Sequence, residues 1–230
     1  MDPVAQLEQR LQIPLPDRQT ALAALTHKSY VNEHRGEGLL DNERLEFLGD
    51  AVIDLAIGQR LMERFPEASE GTLSKLRASI VDEEGLFEVA TSIGLGELLF
   101  LGRGEELSGG RTKPSLLADA LEAVIAVLYL DGGLPKVLAV VDRLFLPSLE
   151  RAGTSLANRD FKTQMQELAQ ARLGAAPRYR LVEERGPDHA KVFSVELWVG
   201  ETLFGRGEGR SKKDAEQLAA REAIGALGDR

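Results

Sequence analysis

The spacing of apolar residues divides the chain into a helical part and a mixed part. Up to about residue 150, apolar side chains recur every three or four positions, the period of an α-helix with one buried face. Further on, Phe193, Val195, Leu197 and Val199 alternate with polar residues, which is typical of an antiparallel strand with one covered face. The pattern therefore predicts two different folds in one chain.

The predicted elements follow from these two periods. In the first part, the segments predicted as helices are 7–12, 20–31, 42–65, 72–81, 82–93, 115–130 and 135–146. In the second part, the prediction is a helix at 160–174, strands at 179–184, 191–199 and 202–208, and a helix at 212–227. The fold class is mainly α in two domains: an all-helical domain at 1–150, a small, polar linker at 151–158, and an α-β-β-β-α domain at 159–230.

The helix predicted at 42–65 carries Glu43, Glu46 and Asp50 on one face, at positions i, i+3 and i+7. Like charges at this spacing destabilise a helix by a few tenths of a kcal/mol per pair, and a bound divalent cation would reverse that sign. A solvated acidic face is the alternative. Asp54 lies on the same face, and we interpret it as a helix-surface acid.

The helix predicted at 115–130 is apolar almost all round, which indicates burial, yet Asp119 and Glu122 lie one turn apart within it. Buried carboxylates must be paired, protonated or bound to a metal, and the nearest basic residue upstream is Lys113. Two facing helices with these carboxylates would offer only oxygen ligands. Such a set suits Mg²⁺ or Mn²⁺ rather than zinc.

Three blocks of the chain, in order, resemble the signature sequences of bacterial ribonuclease III. They are Asn42–Asp50 (NERLEFLGD), Glu70–Ala78 (EGTLSKLRA) and Leu117–Ala123 (LADALEA). The resemblance implies an endoribonuclease that cleaves double-stranded RNA by divalent-metal-assisted hydrolysis. It also implies 5′-phosphate and 3′-hydroxyl ends with short 3′ overhangs, and a role in processing ribosomal and other structured RNA precursors. A non-catalytic double-stranded RNA-binding or RNA-maturation protein on the same scaffold is the alternative.

The resemblance also implies roles for individual residues. It assigns catalysis to Asp50 and Glu122. It assigns the binding of Mg²⁺, with Mn²⁺ able to substitute, to Glu46, Asp119 and Glu122. Glu43 and Glu70 are supporting acids that contact metal, RNA or a second subunit. The family forms homodimers, and the resemblance places Phe47 near the subunit interface.

The charge of the chain is unevenly distributed. The net charge is −9, but residues 1–157 hold 15 basic and 25 acidic residues, whereas residues 158–230 hold 13 and 12. An acidic part that holds cations, joined to a near-neutral part that contacts phosphates, is compatible with a nucleic-acid partner.

Other features limit the cellular setting and the cofactors. The chain has no cysteine, which excludes disulfides and thiolate metal sites and fits a reducing cytoplasm. We expect no signal peptide, no membrane partner and a cytoplasmic location. The glycine-rich segment 102–114 lacks a Gly-Lys-Ser/Thr sequence, so we expect no nucleotide cofactor. It is interpreted either as a mobile loop that brings Arg103, Arg111 and Lys113 to RNA or as a plain connector. His27, with no nucleophile nearby in sequence, is interpreted as a surface or capping residue.

The second domain resembles the double-stranded RNA-binding domain in its order of elements. The residues predicted to face the minor groove of A-form RNA are Thr163, Gln166, Glu167 and Gln170. His189, in the loop at 186–189, is predicted to enter the next groove. Ser211, Lys212 and Lys213 lie at a helix N-terminus, where backbone N–H groups favour phosphate. The alternative for each of these residues is an ordinary solvated surface.

Overall fold

The computed structural model of the protein describes residues 2–187 and 191–228, with the side chains of these ranges apart from 154–160 and 228. The chain divides into two compact units, Met1–Glu150 and Arg151–Arg230. The first is helical and the second combines helices with a three-stranded sheet, as the two hydrophobic periods predict.

The first unit is built from helices joined by short turns. Their bounds are α1 Pro3–Leu11, α2 Arg18–Ala24, α3 Lys28–Glu33, α4 Glu43–Arg64, α5 Glu70–Ile80, α6 Glu83–Ser92, α7 Arg103–Leu107 and α8 Pro114–Leu144. Asp17, Ser69 and Asp82 accept a backbone N–H in the first turns of α2, α5 and α6, which explains where these helices begin.

The segment predicted as one helix at 20–31 is two helices in the structure. Thr26 leaves the helical path and forms an isolated parallel bridge with Phe100, and the N–H of His27 donates to the carbonyl of Phe100 at 3.0 Å. This pairing joins residues more than seventy positions apart. The local hydrophobic period gives no indication of this long-range pairing.

Helix α8 forms the centre of the first unit and packs mainly on α4 and α6. The helices predicted at 115–130 and 135–146 join across a kink at Gly133, whose φ of 64° is readily adopted only by glycine. By length and composition alone, α8 could cross a membrane. Its residues from Leu116 to Leu128 are nevertheless almost all buried in the unit, as in the core helix of a folded domain.

The segment 102–114 is largely helical rather than a loop. It contains α7 and a 3-10 turn at Gly110–Thr112 before α8 begins. The N–H of Gly102 donates to Ser29 Oγ at 2.8 Å, and the N–H of Arg103 donates to Glu33 Oε2 at 3.0 Å. These bonds attach the segment to α3.

The second unit packs two helices against one face of an antiparallel sheet. Its elements are the part of α9 (Leu146–Leu173) that follows Glu150, β1 Pro177–Arg185, β2 Val192–Val199, β3 Thr202–Gly209 and α10 Lys212–Gly228, with the strands in the order β1-β2-β3. Met165 and Ala169 of α9 meet Val195 and Leu197 of β2 in the core. Ala219 of α10 completes this cluster.

The linker predicted at 151–158 is part of α9, which begins at Leu146 and continues to Leu173. The segment contains no proline, and its one glycine, Gly153, is accommodated within the helix. Composition indicates a boundary between units here, and the structure divides the chain after Glu150. Small polar composition alone does not determine whether such a segment is helical.

Candidate active site and RNA interface

A glycine lets the two carboxylate-bearing helices approach closely. A Cβ atom on Gly49 of α4 would lie 1.9 Å from the carbonyl oxygen of Glu122 on α8. The backbones of α4 and α8 are therefore in direct contact at this level. Glu46 lies one helical turn before Gly49 and Asp50 directly follows it, and both carboxylates act on the pKa of Glu122, as Asp119 does.

The carboxylates predicted to act together do influence one another. Burial, followed by the charges of Asp50, Asp119 and Glu46, raises the pKa of Glu122 to about 8. Burial, followed by Asp119 and Glu43, raises the pKa of Glu46. Negative charge is thus concentrated where α4 meets α8. Asp54, interpreted from sequence as a surface acid, pairs with Arg77 at 3.5 Å but is also among the acids that raise the pKa of Glu122.

The donor set fits a hard divalent cation. The side chains gathered here offer only carboxylate oxygens, and the leading electrostatic influences on Glu122 are all acidic. Within residues 2–187 and 191–228, no three acidic or histidine side chains already converge closely enough to hold an ion.

Glu43 and Glu70 lie in other surroundings. Glu43 is exposed and its Oε1 accepts a hydrogen bond from Lys28 Nζ at 2.8 Å, which lowers the pKa of Glu43. Glu70 accepts from Ser74 Oγ at 2.8 Å and lines a cavity with Leu55, Met62 and other residues of α4 and α5. Glu70 is not among the leading influences on the pKa of Glu46, Asp119 or Glu122.

Helix α4 also presents apolar side chains to solvent. Phe47 is 83% exposed, Met62 is 65% exposed and Leu55 is 54% exposed. Their separations of eight and seven residues place them on one side of the helix. We call these three residues the α4 apolar face.

The second unit presents the polar surface predicted on its first helix. Thr163, Gln166, Glu167 and Gln170 are all exposed on α9, and they line one shallow depression. Their side chains are accessible to a ligand as a group.

The start of α10 is a capped helix with exposed cations. Ser211 Oγ accepts the N–H of Asp214 at 3.1 Å, and Lys212 and Lys213 are exposed in the first turn. The glycines before this helix serve packing, since a Cβ on Gly207 would lie 2.2 Å from the carbonyl oxygen of Ala215. His189 lies outside the residues that the structure describes.

Comparison with known proteins matches both units. A Ribonuclease-III-like family model matches residues 17–149, and a double-stranded RNA binding motif matches residues 161–227. Ribonuclease 3 of Myxococcus xanthus is 54% identical over 218 residues, which cover 95% of this chain and 84% of that protein. The chain belongs to the ribonuclease III family.

Further relatives agree with this assignment. Ribonuclease 3 of Geobacter sulfurreducens is 49% identical over 95% of this chain and 88% of its own length. The nuclease domain of ribonuclease III from Campylobacter jejuni, whose structure concerns a region of that domain involved in dimer formation, has a TM-score of 0.58 at 41% identity. It covers 63% of this chain and 97% of its own. The chain is a double-stranded RNA endoribonuclease, and the non-catalytic alternative has no support.

Sequence reasoning missed basic residues beside the ribonuclease III carboxylates. His27 caps α3, with Nδ1 accepting the N–H of Ser29 at 3.2 Å, as interpreted from sequence. It also lies near Asp119: burial raises the pKa of Asp119, whereas His27 and Lys28 lower it. No sequence signal links these residues, because they meet only through the Thr26–Phe100 bridge and the packing of α4 on α8.

Two of the cations predicted to reach RNA are engaged within the segment 102–114. Arg111 Nε donates to Glu106 at 2.7 Å and its Nη1 donates to the carbonyl of Gly96 at 2.8 Å. Lys113 Nζ lies 3.3 Å from Glu105 Oε1. An RNA contact by either residue would compete with these bonds.

Proposed function

We propose that the carboxylate cluster between α4 and α8 hydrolyses the phosphodiester bonds of double-stranded RNA with the assistance of a divalent metal. The observation that carries this proposal is the close contact of α4 and α8 at Gly49, which gathers partly buried carboxylates; burial, followed by Asp50, Asp119 and Glu46, raises the pKa of Glu122 to about 8. A cluster of carboxylates whose ionised forms are disfavoured by burial and by one another favours binding of a divalent cation.

The residues have distinct roles in this proposal. Glu46, Asp119 and Glu122 hold the metal, and Asp50 together with Glu122 orients the attacking water toward the phosphorus. Mg²⁺, with Mn²⁺ as a substitute, would supply Lewis-acid activation of the water and stabilise the leaving 3′-oxygen. Cleavage between the 3′-oxygen and phosphorus gives 5′-phosphate and 3′-hydroxyl ends.

The active form is proposed to be a homodimer. The α4 apolar face would be covered by a second copy, because burying an aromatic and two aliphatic side chains favours association. Two sites would then each cut one strand and leave short 3′ overhangs. The Campylobacter jejuni nuclease domain, for which dimer formation is described, supports this assignment.

The second unit is proposed to hold the duplex. The exposed amides and hydroxyl of Gln166, Gln170 and Thr163 suit the 2′-hydroxyls and base edges of the shallow minor groove. Lys212 and Lys213 would contact phosphates across the major groove. Substrates would be ribosomal and other structured RNA precursors in the cytoplasm, consistent with bacterial relatives and a cysteine-free chain.

The test is incubation with a long RNA duplex. With Mg²⁺ or Mn²⁺ we expect short duplexes with 5′-phosphate ends, and with EDTA we expect no product. Single-stranded RNA and duplex DNA of the same sequence are the controls. Equal cleavage of all three substrates, or cleavage in EDTA, would contradict the proposed mechanism.

A further inference from the structure

The first residues of α3 and α4 are held side by side by backbone hydrogen bonds. The N–H of Asn42 donates to the carbonyl of Thr26 at 3.0 Å, and Thr26 is in turn bridged to Phe100. Lys28 begins α3 and Glu43 begins α4, so this pairing fixes the distance between their backbones. Their relative position is therefore a property of the fold rather than of two flexible side chains.

Lys28 and Glu43 form an ion pair on the surface of the first unit. Lys28 Nζ lies 2.8 Å from Glu43 Oε1, and the two side chains are 57% and 54% exposed. Exposed pairs of this kind contribute little to stability because water and salt screen them. The ammonium has three N–H donors, and Glu43 occupies one of them.

The same ammonium is close to the carboxylate cluster. It lowers the pKa of Glu46 on α4 and of Asp119 on α8, against the stronger effect of burial, which raises both. Lys28 therefore acts on carboxylates of both helices. A phosphate that approaches this cluster is repelled by the carboxylates, and an adjacent exposed cation reduces that repulsion.

We propose that Lys28 is a further catalytic residue, whose ammonium donates to a phosphate oxygen of the strand being cut, and that Glu43 positions Lys28 instead of binding metal. The inference rests on the proposed metal site between α4 and α8. It assigns to the Lys28–Glu43 pair a role in substrate contact, and it gives Glu43 a role that the signature sequence leaves open.

The experiment is a double-mutant cycle in single-turnover cleavage of a defined RNA duplex, with Mg²⁺ varied for each variant. Lys28→Ala should cleave about tenfold more slowly at saturating Mg²⁺. Removing a buried hydrogen-bond donor to a transition state slows a reaction about a hundredfold or more, and an exposed cation contributes less because water and salt screen its charge. Lys28→Arg should keep most of the rate. Glu43→Gln should lose less than Lys28→Ala and have no further effect in the Lys28→Ala background. The Mg²⁺ concentration at half-maximal rate should not change.

Binding provides a second measurement that a purely structural role would not alter. Duplex affinity is measured at several salt concentrations in a Glu122→Gln background. The slope of log affinity against log salt concentration should be smaller in magnitude by about one for Lys28→Ala, as expected for one lost phosphate contact. Arg18→Ala is the matched control, because Arg18 is 53% exposed and pairs with Asp2 in the same unit. It should leave the rate and the salt slope unchanged.

Each failure has a distinct meaning. A Lys28→Ala protein with the wild-type rate and salt slope would overturn the proposal. A Glu43→Gln protein that needs more Mg²⁺ and is rescued by Mn²⁺ would make Glu43 a metal ligand and would also overturn it. If Glu122→Gln alone cleaved at the wild-type rate, the proposed metal site itself would be wrong, whatever Lys28 does.

Discussion

At the residue scale, the surroundings of Glu122 disfavour the ionised form of its carboxyl group. Burial and four neighbouring carboxylates raise its pKa to about 8, so the ionised form is disfavoured without a cation. Glu63, on the exposed side of α4, is the opposite case, because hydrogen bonds from Gln59 and Arg60 lower its pKa. We therefore expect the substitution of glutamate by glutamine to affect stability differently at these two positions.

We expect Glu122→Gln to slow cleavage by about a thousandfold, which corresponds to roughly 4 kcal/mol of lost transition-state stabilisation. Gln keeps the volume and one carbonyl oxygen but removes the charge that a hard cation requires. Duplex affinity, measured by gel shift, should stay within a few-fold. A folded variant with the wild-type single-turnover rate would remove α8 from the active site.

The same substitution should stabilise the protein in EDTA. The folded state raises the pKa of Glu122 above that of the unfolded chain, so ionisation at pH 7.5 disfavours folding. Allowing for solvent screening of a group that is partly exposed, the gain is about 1 kcal/mol, or 2–4 °C in melting temperature. Glu63→Gln should give no gain. A lower melting temperature for Glu122→Gln would contradict this electrostatic account.

At the element scale, the approach of α4 and α8 depends on Gly49. Any Cβ at this position would overlap the carbonyl of Glu122, and that atom belongs to a rigid helix rather than to a flexible side chain. The helices would have to separate at the level of the proposed active site.

Gly49→Ala should therefore destabilise the protein by about 3 kcal/mol and reduce cleavage strongly. Gly71→Ala is the control, because a Cβ there meets nothing within 4 Å and lies in the first turn of α5. It should stabilise by about 0.5 kcal/mol through the better helix propensity of alanine. Urea unfolding and single-turnover cleavage measure both effects, and equal stability of the two variants would contradict the packing argument.

At the scale of the whole molecule, chemistry and duplex binding are separated between the two units. The first unit holds the carboxylates and the excess of acidic residues, and the second presents the exposed face of α9 and the cations of α10.

Deleting residues 158–230 should weaken duplex affinity far more than the cleavage rate at saturating protein. Fewer phosphate contacts remain, so cleavage should be recovered at low salt and high protein concentration. Gel shift and single-turnover cleavage at 50 mM and 200 mM salt test this. Complete loss of cleavage at low salt, in a truncated protein that is still helical by circular dichroism, would show that the division of roles is wrong.

Phe47→Glu should shift the protein from dimer to monomer. Phe47 is 83% exposed in the single chain, so the charge should not disturb the monomer fold, whereas burying it in an interface costs several kcal/mol and weakens association at least a hundredfold. Leu107→Glu is the control, because Leu107 is 80% exposed on α7. Sedimentation over a range of concentrations distinguishes them, and an unchanged dimer for Phe47→Glu would place the interface elsewhere.

The sequence by itself determined the helical and alternating periods, the two-part organisation and the acids on α4 and α8. These are local properties, because the period of a helix fixes which residues share a face. The family resemblance added the activity, which the comparisons confirm. The helical state of 151–158 and of much of 102–114 was not predictable from composition, because small and glycine-rich segments acquire their conformation from their neighbours.

Only the tertiary structure decided which partner each charged residue has. Glu43 faces Lys28, Glu70 lines a cavity with α4, and His27 lies near Asp119. These positions depend on the Thr26–Phe100 bridge and on the close contact at Gly49, which join segments far apart in the chain. Periodicity describes the face of one element, whereas the partner of a side chain depends on how two elements pack.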